Sequence, residues 1–75
     1  MKTVRLDITK DHCPMTFVKT KLELEKLQKG DILEVILKEG EPLENVPKTV
    51  TEQGNKVIDI KKIQDDIHMV IIEKG

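Results

Sequence analysis

Tryptophan and tyrosine are absent from this 75-residue chain, phenylalanine occurs once, and there is no serine. Lacking aromatics, the core must be aliphatic, built from Ile, Leu and Val, and almost nothing is available to stack on nucleobases. Lacking serine, a Ser-His-Asp triad is excluded. Cysteine occurs once, as Cys13. That rules out an intramolecular disulfide framework and a Cys-x-x-Cys reductase, and it suggests a reducing, cytoplasmic compartment. No apolar run approaches membrane-spanning length, and the N-terminus has no signal-peptide apolar region, so a soluble cytoplasmic protein is expected.

An excess of one charge is missing too. Thirteen basic side chains meet 14 acidic ones, a net charge of −1. The signs mix along the chain, as in Lys19-Thr20-Lys21-Leu22-Glu23-Leu24-Glu25-Lys26. With no basic stripe, binding to a phosphate backbone has little support, and a solvated, salt-bridged surface is the default. The only soft or borderline metal ligands are His12, Cys13 and His68, too few and wrongly spaced for a structural zinc site. Gly30, Gly40 and Gly54 are isolated and form no phosphate-cradling loop. No metal and no cofactor is implied.

What the chain does carry is periodicity. Val4, Leu6 and Ile8 alternate with polar residues, which predicts a half-buried strand. A helix follows from Pro14 to about Gln28, with its main stripe at Phe17, Thr20, Leu24 and Leu27, widened by Val18 and Leu22, and Gly30 as its stop. The run from Ile32 to Leu37 is nearly all apolar, which predicts a central strand. Lys38-Glu39-Gly40-Glu41-Pro42 reads as a turn, and Asn45 as the N-cap of a short second helix, with Pro47 in its first turn and Gly54 closing it. Val57, Ile58, Ile60 and Ile63 then alternate with polar residues, and Ile67–Ile72 returns after a turn as the partner of a hairpin. His68 alternates with Ile67, Met69 and Ile71 and reads as a sheet-surface residue. The expected fold is α/β (α+β): one domain over residues 1–75, ordered β-α-β-α-β-β, a two-layer sandwich with a four-stranded mixed sheet and two helices on one face.

Cys13 stands where the first strand gives way to the first helix. Pro14 fits the first helical position, because a missing N–H costs nothing there and its φ is already helical. Cys13 then lies at or next to the N-cap, where the helix end favours thiolate over thiol. Taken by itself, a Cys-Pro pair is more often a small buried hydrophobe without a function. His12 beside it could raise the thiolate population or be a plain exposed turn residue. Asp11 opposes the thiolate if close, and Lys19 lies further along the helix.

His12-Cys13-Pro14-Met15-Thr16 with its helix, Lys29-Gly30-Asp31 before the second strand, and Gly40-Glu41-Pro42 before the second helix together resemble the TusA/SirA-like family of small sulfur-carrier proteins. The likeness covers nearly the whole chain. The family motif is Cys-Pro-x-Pro, whose cysteine carries sulfane sulfur as a persulfide between a cysteine desulfurase and a downstream acceptor. Mapped here, it implies that Cys13 is the carrier, with Pro14 as the first proline. Thr16 replaces the second proline, which restores an N–H in the first turn and adds a hydroxyl near the sulfur. The resemblance thus implies a sulfurtransferase-type carrier that takes sulfur on Cys13 and passes it to a partner thiol. His12, Pro14 and the N–H groups of Met15 and Thr16 would support the sulfur, and Gly40, Glu41 and Pro42 would face the partner. The expected partners are a cysteine desulfurase or other sulfur donor protein and a sulfur-acceptor protein. The alternative is a protein-interaction or redox-regulatory module on the same fold, without sulfur transfer.

Overall fold

The structure, a computed structural model, describes residues 2–12 and 15–75. Its elements are β1 (Thr3–Asp7), α1 (Met15–Glu25), β2 (Ile32–Lys38), α2 (Glu41–Glu52), β3 (Lys56–Gln64) and β4 (Ile67–Glu73). The strands form one sheet in the order β1-β2-β4-β3. β1 runs parallel to β2, and β4 is antiparallel to both β2 and β3. The apolar run of β2 is therefore central, as its composition predicts.

Alternation along β2 sends Leu33, Val35 and Leu37 to one face, where they are fully buried. In the paired strand Val70 lies opposite Val35 and Ile72 opposite Leu33, so both rows point the same way. Leu24 and Leu27 from the α1 segment and Val46 and Val50 from α2 close over them, with Ile8 at the end of β1. The result is the two-layer sandwich with both helices on one face of a mixed sheet.

Four local expectations are corrected. The buried stripe of α1 is Thr16, Thr20 and Leu24, one position off the predicted Phe17 start; Phe17 is half-buried and Leu22 exposed. The Thr20 hydroxyl donates to the Thr16 carbonyl at 2.8 Å, which satisfies a polar group inside the core. α1 also ends earlier than Gln28. The Lys26 and Leu27 amides reach only three residues back, to the Glu23 and Leu24 carbonyls, tightening the last turn. Gly30 instead belongs to the approach to β2, where its N–H donates to the Lys74 carbonyl at 2.9 Å.

α2 begins at Glu41, not after Asn45. Gly40 adopts φ +102° just before it, Pro42 occupies the first turn where no N–H is needed, and Glu41 and Glu44 favour the positive helix end. Pro47 is consequently inside the helix. The predicted stop at Gly54 holds: with φ +90°, its N–H donates to the Thr51 carbonyl and that of Asn55 to the Val50 carbonyl, the paired closing bonds of a Schellman end. β3 is the remaining correction. Ile58, Ile60 and Ile63 are exposed on this edge strand, which has register shifts between Val57 and Asp59 and between Lys62 and Gln64.

Asp31 ties three segments at the entry to β2. Its carboxylate accepts the Gln28 and Lys2 amides, each at 3.0 Å, and these bonds, Gln28's first, hold it below the usual carboxylate range. A carboxyl that ionises at lower pH when folded stabilises fully above the ordinary aspartate value and ceases to do so as pH falls through the lowered one. Asp31→Asn should therefore flatten the acid limb of stability between about pH 5 and pH 2, read from thermal melts; an unchanged limb would show that these bonds do not persist in solution. Leu33→Ala, at the centre of the core, should cost about 2–5 kcal/mol in urea unfolding.

Candidate functional site

Parallel pairing brings the C-terminal ends of β1 and β2 side by side. Asp7 lies opposite Ile36, and the Ile8 amide donates to the Ile36 carbonyl at 2.9 Å. The segments leaving the two strands must then run next to each other. Between them is a depression of about 230 Å³, lined by Ile8, Thr9, Asp11 and His12 from one side and Lys38, Glu39, Glu41 and Pro42 from the other.

The β1–α1 segment is held at several points. Asp7 Oδ1 accepts the Thr9 amide at 2.9 Å and the Thr9 hydroxyl at 2.7 Å, and these two bonds keep its carboxyl below the usual range. The Asp11 amide donates to the Ile8 carbonyl at 3.1 Å, and Lys19 Nζ donates to Asp11 Oδ1 at 2.8 Å. The His12 carbonyl accepts the amides of Met15 at 2.7 Å and Thr16 at 3.3 Å. The second is a helical i to i−4 bond, so His12 provides the carbonyl of the capping position. Cys13 and Pro14, and the expectations that rest on them, lie outside the described residues.

The Met15 and Thr16 amides thus meet the His12 carbonyl at the start of α1. Thr16 is only 1% exposed and belongs to the stripe facing the core, which gives its side chain a packing role. Met15 is exposed and so is the His12 side chain.

The structure does bring His12 together with Glu41 and Pro42, from opposite walls of one depression. Gly40 stands just ahead of α2, while Glu41 and Pro42 form its first turn instead of a free loop. Sequence reasoning passed over Lys38 and Glu39 as lining residues. The signal was present in the β-α-β order, because two adjacent parallel strands must end at the same edge. His68 departs from its reading as a sheet-surface residue. It opposes Leu37 and so shares the helix-covered face, its side chain 14% exposed with Nε2 3.8 Å from Glu39 Oε1. Its Nδ1 is buried with no hydrogen-bond partner among the described residues.

Among the described residues no group of three His, Cys, Asp or Glu could hold a metal ion, and no helix is long and apolar enough to cross a membrane. Thr16→Pro, which rebuilds the motif proline, should delete the Thr16–His12 bond and cost about 1 kcal/mol in urea unfolding while the fold persists. A stabilised variant would show that this bond does not matter to the helix start.

Comparison with known proteins agrees with this architecture. The sulfurtransferase TusA family profile matches residues 4–74. A protein of Archaeoglobus fulgidus is 36% identical over 69 residues, covering 92% of this chain and 78% of that protein. One from Methanocaldococcus jannaschii is 34% identical over 67 residues, 89% of each chain. YedF of Escherichia coli K12 is 33% identical over 67 residues, 89% of this chain and 87% of its own. All three bear the name "putative sulfur carrier protein". The crystal structure of a SirA-like protein from Desulfitobacterium hafniense superposes with a TM-score of 0.84 over 96% of this chain and 97% of that one, at 19% identity, which speaks for the fold alone. On the family match and these relatives, the chain belongs to the sulfurtransferase TusA family.

Proposed function

We propose that this protein is a sulfur carrier that holds sulfane sulfur as a persulfide on Cys13. The observation that supports the reading most is the family match across residues 4–74, within which the sole cysteine of the chain is followed by proline between the first strand and the first helix in sequence. A relay needs a single nucleophilic thiolate, because the next thiol belongs to the partner. One cysteine is sufficient for that task.

The transfer conserves atoms and electrons. Cys13 thiolate attacks the outer sulfur of a donor persulfide, a new S–S bond forms at Cys13, the donor's S–S bond breaks, and the donor cysteine leaves as thiolate. The outer sulfur keeps its proton and its oxidation state. An acceptor thiolate then repeats the attack on Cys13 persulfide and regenerates the Cys13 thiolate. The positive end of α1 favours the anionic form of the sulfur at both stages. The depression bounded by His12, Glu41 and Pro42 is the surface offered to the partners, a cysteine desulfurase or similar donor on one side of the relay and an acceptor protein on the other. A lone thiol of this kind suits a reducing, cytoplasmic setting.

Incubation of the reduced protein with a cysteine desulfurase and cysteine, followed by intact mass spectrometry, should show the gain of one sulfur atom that a reductant removes. Cys13→Ser should show no gain and melt within about 2 °C of the parent, the range of a mild substitution. A gain that persists in Cys13→Ser would sink the proposal.

A further inference from the structure

Both helices pack on one face of the sheet, and no element among the described residues covers the other. Pairing and alternation give that open face a definite layout. Its two middle columns are apolar, with Ile32 and Ile36 on β2 and Ile67, Met69 and Ile71 on β4, all half-buried. The register shifts of β3 extend the patch. Val57 packs against the core, so alternation turns Ile58 to the open side, where it joins Asp59 opposite Ile71. Ile63 follows Lys62 in the same way at the second shift. Both isoleucines are exposed. An apolar patch rimmed by charge has the form of an interaction surface.

The charges on its rim say what fits. Arg5, Glu34, Ile71 and Asp59 form one row across the open face, and Asp7, Ile36, Met69 and Lys61 form the next. At the corners Arg5 and Asp7 on β1 stand against Asp59 and Lys61 on β3, so the signs alternate around the rectangle. Such a rectangle complements its own image about a two-fold axis lying in the face. With the axis along the strands, between β2 and β4, Arg5 meets Asp59 of the second copy and Asp7 meets Lys61. With the axis across the strands, Arg5 meets Asp7 and Asp59 meets Lys61. Opposite signs meet either way, and Met69 comes onto Ile36 or Ile71 at the centre. Glu34 lies inside the patch with its carboxylate already 3.3 Å from Arg5, while Lys38 and Glu73 lie at its ends. A foreign partner has no need of a surface that matches its own image, and a second copy does.

We propose that the protein associates with itself through the open face of its sheet, as a two-fold symmetric dimer with the helices outside. The two sheets then stack about 10 Å apart with their strands within about 30° of one another. Sedimentation of the full chain between about 1 and 500 µM should show a monomer–dimer equilibrium in the micromolar range. Met69→Lys puts a charge on the central contact and leaves the helix-covered core untouched. It should weaken the dimer at least about tenfold with the melting transition retained. Arg5→Glu sets like charges against each other and should weaken it by a similar factor. Adding Asp59→Lys should restore the dimer if the axis runs along the strands, and adding Asp7→Lys if it runs across them. Should Met69→Lys melt early, the charge reversal decides alone. A chain that stays monomeric throughout overturns the proposal. So does a dimer indifferent to a folded Met69→Lys variant, or a loss in Arg5→Glu that neither second change restores.

Discussion

β2 pairs on both sides, parallel with β1 and antiparallel with β4, and its inward row of Leu33, Val35 and Leu37 is what both helices rest on. That constraint determines the remainder of the structure. A strand with two partners cannot shift register by one residue without turning its buried row to solvent. Because β1 is parallel to it, the chain must cross over between them, and α1 is that crossover. The ends of β1 and β2 then fall at the same edge, and the depression with its lining residues is a by-product of strand direction.

The same edge shows how a short chain holds a connecting segment without a large core. The segment from Asp7 to His12 has little apolar surface of its own, so it is held by polar contacts: Asp7 to Thr9, the Asp11 amide to Ile8, Asp11 to Lys19, and the His12 carbonyl to the first amides of α1. Each is worth little alone. In sequence they leave the backbone before and after Cys13 few ways to move.

Reading residues in order recovers the elements well where one pattern dominates. The alternation of β1, the apolar run of β2 and the glycine at the end of α2 each have one physical solution. It fails where two rows compete. In β4, Val70 and Ile72 on one face and Ile67, Met69 and Ile71 on the other are both apolar, so the strand does not itself say which face the helices cover, and His68 reads as a surface residue although its face is the covered one. The start of α2 was hidden by Gly40-Glu41-Pro42, which is turn-like chemistry that serves equally as a helix's first turn. At the site, His12, Glu41 and Pro42 line one depression. Lys38 and Glu39 went unnoticed because adjacency across a parallel pair is a property of topology. The pairing of Lys19 with Asp11 depends on the angle at which α1 leaves its loop, which sequence spacing does not convey.

The irregular edge strand β3 has a consequence for life at high concentration. It exposes three isoleucines along an unpaired row of amides and carbonyls, the combination that recruits a second chain into a growing sheet. Two register shifts break the row, and Lys56, Lys61 and Lys62 place charge along it. An approaching strand would find neither a continuous ladder nor a neutral surface. Molecules that collide along this edge can therefore separate again.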